Sequence, residues 1–232
     1  QRRSWWQRTW FRTFTFTFLL AGCWGGGDEP LAAEGPGSEW PVGTVLAVDD
    51  VPISSAEVAE VEERLRLVYP EHAASFRRRA ALESLVLPRA ALRVRFADAR
   101  RDALAACRKA RAALVAGEGP PTPEPEVHRG GFHQLQLLVW GKARSLEPGR
   151  WSEPIEGRGF FLLLRLEELS GADEGPAYEE LTVSILDFPY LPADFAPTGI
   201  ASVLSTVRLS IVDPEWEQWV PEDMKYRMRG GM

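Results

Sequence analysis

The chain has 232 residues, 45% of them hydrophobic and 26% charged, which suits a soluble globular protein of one or two domains. Its formal net charge of −6 argues against nucleic acid as a partner, because a phosphate backbone selects basic surfaces. Two cysteines, Cys23 and Cys107, are too few for a disulfide framework.

The amino terminus reads as an address. Residues 1–22 hold Arg2, Arg3, Arg8 and Arg12 and no acid, and residues 11–21 are apolar with interspersed threonines. That stretch is shorter than the about 20 apolar residues a spanning helix needs. A basic start and a short apolar run describe a secretory signal peptide over residues 1–22. The segment Leu20-Ala21-Gly22-Cys23 resembles a bacterial lipobox. The resemblance implies a lipid on Cys23 and a membrane partner held through acyl chains, on the periplasmic side of a bacterial envelope. Trp24 replaces the aspartate of the inner-membrane retention signal, which favours the outer membrane. Loss of residues 1–22 takes the net charge from −6 to −10. Residues 23–41, with Gly25-Gly26-Gly27 and Gly35-Pro36-Gly37, form a flexible tether.

Residues 42–118 read as a helical segment. Val45 to Val48 lead into an Asp49-Asp50 turn, then Val51-Pro52-Ile53-Ser54. Ser54 and Glu57 have the spacing of a capping box. Val58, Val61, Leu65 and Val68 recur at helical spacing, and Tyr69-Pro70 ends that helix. A second helix is predicted over 72–87, with Pro88 kinking or breaking it, and a third over 89–116 before Gly117. The run Arg77-Arg78-Arg79 reads as a solvated face beside Glu71 and Glu83, and Cys107 as a small buried residue. Val48, Asp49, Asp50, Ile53, Ser54, Glu57 and Val58 resemble the opening of the SurA N-domain family, with Asp49-Asp50 in place of its Asn-Gly. In that family the helical segment builds a cradle for unfolded chains.

A Pro-rich break over 119–125 marks a domain boundary. Beyond it, a helix over 135–145 meets the Pro148-Gly149 turn, and the Gly-bounded apolar run 160–166 reads as a buried strand. Ala143, Leu146, Pro148, Gly149, Ser152 and Pro154, with the strand Gly159-Phe160-Phe161-Leu162-Leu163, resemble the C-terminal half of a parvulin-type peptidyl-prolyl isomerase. Gly130-Gly131-Phe132 resembles a turn of the same family. The resemblance places a degenerate domain over 126–192. The family's second histidine falls at Phe161, and its apolar helix pair falls at Leu135 and Val139. No strand carrying the family's first histidine is expected before Gly130, and the nearest candidate, 182–186, has Ser184 at that position.

Prolyl isomerisation means twisting a bond with a barrier of about 18–20 kcal/mol in ordinary amides, lower for X-Pro. A catalyst holds the twisted imide in a shaped, partly dry pocket. With Phe161 and Ser184 at the histidine positions, the expectation is weak or no turnover, and Leu135, Val139, Phe161 and Ser184 are the candidate substrate contacts. His128 and His133 flank the Gly-Gly turn without further ligands, so no metal is expected. No phosphate loop, triad signature or zinc motif appears, so no cofactor is expected.

Residues 193–232 read as a C-terminal extension. It holds a helix-like run over 200–209, then Asp213 capping a short helix that starts at Pro214 and presents Trp216 and Trp219. The expected fold is α+β: a helical SurA-N-like segment, then a small parvulin-like sheet with flanking helices. The expected function is binding of unfolded or proline-containing envelope polypeptides as a folding factor. An active isomerase and a structural docking lipoprotein are the alternatives.

Overall fold

A computed structural model describes residues 40–118, 124–176, 178–196 and 198–229. Cys23, the signal segment and nearly all of the tether lie outside the described residues, as do 119–123 of the Pro-rich break.

Asp49 turns the chain back at φ 49°, a left-handed conformation that aspartate tolerates well. The turn joins β1 (Thr44–Val48) to β2 (Val51–Ser54) as an antiparallel hairpin. Ser54 then caps α1 (Ser55–Val68), its Oγ accepting from the Glu57 N–H at 3.1 Å, a contact that stabilises a helix start by ~1 kcal/mol. Only this half of the capping box forms, because the Glu57 carboxylate reaches across to Arg89 and Arg93.

α2 (Ala74–Ala81) runs through a π-turn over Leu82–Val86 into α3 (Leu87–Arg95). Pro88 therefore does not break the rod. The wider turn just ahead, closed by the Leu87 N–H on the Leu82 carbonyl, accommodates the proline. The break falls instead at Phe96, at φ −120° and ψ 34°, after which α4 (Ala97–Ala116) continues to a left-handed Gly117.

The arginine run on α2 stays at the surface, with Arg79 exposed, and each side chain also reaches a neighbouring segment. Arg77 donates to the carbonyls of Tyr69 and Pro70 at 3.4 Å and to that of His72, so it covers the end of α1. Arg78 pairs with Glu62 and lies over both Trp216 and Trp219, at 5.1 and 5.0 Å. Arg79 donates to the Gln218 carbonyl at 3.2 Å.

The second half is a four-stranded antiparallel sheet in the order β3 (Glu126–Gly130), β6 (Glu180–Pro189), β5 (Phe160–Ser170), β4 (Ile155–Glu156). Between β3 and β4 lies α5 (Leu137–Ala143). Strand alternation divides the sheet's side chains between two cores. Phe161, Leu163 and Leu186 join the larger core with Cys107 of α4. Phe160, Leu162, Leu164, Leu166, Val183 and Ile185 form the smaller one with Leu138, Val139 and Trp140 of α5. The sheet thus sits between α4 and α5. The fold is α+β: a helical segment followed by an antiparallel sheet with helices.

β3 corrects the expectation that no strand precedes Gly130. It pairs with β6 along its length, placing His128 opposite Val183. Its sequence, EVHRG, lacks apolar alternation because it is an edge strand, where charged side chains suit the wet flank.

Residues 193–229 do not form a separate extension. α6 (Gly199–Thr206) leads into β7 (Leu209–Ile211), which pairs antiparallel with β1 and completes the order β2-β1-β7. Asp49 Oδ1 accepts from the Arg208 N–H at 2.8 Å, and the Asp49 N–H donates to the Arg208 carbonyl at 2.8 Å. A 3₁₀ helix (Pro214–Trp219), capped by Asp213, and α7 (Glu222–Arg227) follow. Val203, Leu204, Val207, Val220, Met224 and Met228 enter the larger core.

Candidate functional site

The four candidate contacts do not converge. Phe161 and Ser184 lie on the sheet face toward α4, with 3% and 2% of their surface exposed. Leu135 and Val139 belong to the core on the opposite face, 8% and 1% exposed. The physical cause is the two-residue period of a strand, which puts Phe161 and Phe160 on opposite sides. Phe161 is sealed under the Arg100 guanidinium at 5.4 Å and beside the Tyr190 ring at 5.9 Å. The Ser184 hydroxyl donates to Glu167, which also accepts from Arg165 Nε at 2.8 Å.

His128 does stand on a strand ahead of Gly130, although the sequence reading assigned it no strand. Its place opposite Val183 puts it on the smaller core's side of the sheet, away from Phe161. Its Nε2 lies 3.4 Å from a Glu126 carboxylate oxygen. Position 128 and position 161 therefore cannot act together on one substrate.

A cleft lies elsewhere, where α1 and α3 meet α5 and the segment before β4, with a volume of about 440 Å³. Glu156 of β4 is its centre. Arg93 reaches Glu156 at 2.7 Å and Arg100 reaches it at 2.7 Å, while Arg89 donates to the Glu156 carbonyl at 3.2 Å. Glu57 pairs with Arg89 and, at 3.1 Å, with Arg93. Burial alone would push the Glu156 carboxyl up. The hydrogen bonds and charges of Arg100 and Arg93 outweigh it and hold the group below the ordinary 4.5. Toward α5, Glu60 accepts from Lys142 and stands 3.6 Å from Arg64. Arg111 pairs with Glu153 at the rim and donates to the Ser152 carbonyl at 3.0 Å. Leu138, Leu146, Pro154 and Ile155 supply an apolar wall.

The sequence marks Glu57 as a capping residue and as part of a family resemblance, and it gives Glu156, Arg93 and Arg100 no role. Arg93 and Arg100 are seven apart on what was read as one helix, so a shared face was the available signal. Their common partner, more than 50 residues on, was not.

This cluster clasps the sheet to the helices. Its carboxylates are each engaged by an arginine or by Lys142. Cys107 offers no nucleophile, since burial pushes its thiol up to about 12 against only a weak pull from Arg108. Among the described residues no group of three or more His, Cys, Asp or Glu is placed to hold a metal ion. Among them, too, no helix is long and apolar enough to cross a membrane.

Comparison with protein-family models, curated proteins and solved structures finds no match to this chain.

Proposed function

We propose that the chain is a lipid-anchored protein of the bacterial envelope, akin to the parvulin and SurA-like folding factors. It binds unfolded or proline-containing polypeptides with weak or no isomerase turnover. The observation that carries this reading is the burial of Phe161 and Ser184 at the positions the family resemblance gives to histidines. Both side chains are closed off and the Ser184 hydroxyl is engaged by Glu167, so neither is open to a substrate proline. The order of a helical segment, then a small antiparallel sheet flanked by helices, agrees with the same kinship. The segment Leu20-Ala21-Gly22-Cys23 supports the anchor.

The exposed aromatic side chains at the corner between α1 and α2 support the reading as a contact surface for an unfolded chain. Tyr69 and Phe76 are 45% and 44% exposed, and the His72 ring sits between them at 5.3 and 4.7 Å. Clustered, exposed aromatic rings attract apolar segments without requiring a fixed sequence.

Two assays test the reading together. The protein is expected to suppress aggregation of a chemically unfolded client at stoichiometric ratio, and the double variant Tyr69→Ser, Phe76→Ser to lose most of that effect. Turnover of a proline tetrapeptide is expected at background. A saturable isomerase rate would establish the enzyme instead. Full client aggregation, with a single folded partner recovered stoichiometrically, would favour the docking subunit.

A further inference from the structure

Four cations, Arg64, Arg89, Arg93 and Lys142, and four carboxylates, Glu57, Glu60, Glu153 and Glu156, line the cleft, but they are unevenly paired. Arg64, Arg89, Arg93, Arg100 and Lys142 share three carboxylates, those of Glu57, Glu60 and Glu156. Arg100 and Arg111 reach in from outside the lining, to Glu156 and to Glu153.

Arg64 has the longest ion pair of these cations. Its side chain is only 8% exposed, yet Nε donates to the Glu60 backbone carbonyl at a long 3.3 Å, and Nη2 stays 3.6 Å from the Glu60 carboxylate. Lys142 takes the close contact with that carboxylate. Burial pushes the Arg64 guanidinium down; Glu60 opposes this and the neighbouring Arg89 adds to it. Arg89 is just as enclosed, and its Nε has no hydrogen-bond partner among the described residues. A buried guanidinium left under-neutralised is costly, and a planar carboxylate fits its paired donors. The volume of about 440 Å³ falls within the range of small-ligand pockets, and Leu138, Leu146 and Ile155 line it beside these cations.

We propose that this cleft binds a carboxylate carried on an apolar body, seated between Arg64 and Lys142 with the body against Leu138, Leu146 and Ile155. A polypeptide's C-terminal carboxylate following an apolar residue has this chemistry, and so does a free aliphatic acid. In the first case the site gives the polypeptide-binding reading a defined partner end and rests on that reading; in the second it stands alone.

Titration calorimetry on the full chain tests the site with three probes: acetyl-Ala-Ala-Leu as the free acid, the same peptide as its C-terminal amide, and hexanoate. The acid is expected to bind at least about tenfold more tightly than the amide, as loss of a charge-assisted contact implies. Arg64→Gln and Lys142→Met are expected to abolish the difference. Glu60→Gln is expected to tighten acid binding severalfold, since it removes the competing carboxylate, and a merely destabilised protein would not gain affinity. Peptide acid binding above hexanoate identifies a chain terminus; hexanoate binding equal to it identifies a small acid. Equal binding of acid and amide, no binding of any probe, or weaker binding by Glu60→Gln overturns the site. Aggregation suppression that persists beside a failed titration leaves the polypeptide-binding reading intact and removes only this inference.

Discussion

Glu156 ties the edge of the second sheet to two helices. It reaches from a two-residue strand to guanidiniums on two helices, with a side chain only 10% exposed. Removing one partner of a buried charge cluster typically costs about 3–5 kcal/mol, because the remaining charges stay buried. Glu156→Gln keeps a hydrogen-bond acceptor, so the expected loss at pH 7 is ~3 kcal/mol by urea denaturation; a change near zero would show that the clasp is not stabilising. The pH dependence follows from the sign of the shift. The folded carboxyl lies below its unfolded value of 4.5, so its contribution is complete above that pH. It is lost as pH falls through the folded value. The wild type is therefore expected to weaken more steeply than Glu156→Gln on acidification below 4.5, and parallel curves would contradict this. At this scale the sequence was readable only where the contact was local. Ser54 announced its cap because its partner lies three residues on. Glu57, Arg93 and Glu156 meet across the fold, and no spacing records such a meeting.

Elements were more legible than their contacts. The hairpin, α1, α4 and the long strands β5 and β6 follow from apolar periodicity and from turn residues, which act within a few positions. Three features escaped. The π-turn ahead of Pro88 lets a helix continue where proline's missing N–H predicted a stop. Phe96 interrupts a strongly helical stretch, its ring edge-to-face with Phe195 at 5.6 Å, a tertiary contact overriding propensity. β3 has a charged, edge-type sequence that resembles a loop. The sharpest difference concerns β7, whose three residues complete the first sheet rather than trailing from the second. A chain ending at residue 192 is expected to lose its cooperative thermal transition, because β1 loses its neighbour and the larger core loses Val203, Leu204, Val207, Met224 and Met228. A truncated chain that still melts sharply within a few degrees of the wild type would show that the C-terminal part is dispensable.

Across the whole molecule, the larger core runs from Val45 through Leu163 to Met228 and includes Cys107. One continuous core shared by helices, sheet and C-terminus favours all-or-none unfolding. Cys107 reports on it directly, being fully enclosed with its thiol pushed up to about 12. Labelling by an aromatic disulfide at pH 8 is expected to follow the global unfolding rate, in step with tryptophan fluorescence; labelling well ahead of fluorescence would reveal a separately opening α4.

The union of β1 with β7 bears on how the protein is made. Asp49 and Arg208 are 159 positions apart, yet they exchange hydrogen bonds at the corner of the first sheet. A ribosome delivers the earlier half of that contact long before the later one, and closing so long a loop is slow. The nascent chain therefore cannot complete its first sheet until residue 211 has emerged, so that sheet closes after synthesis of nearly all the described residues.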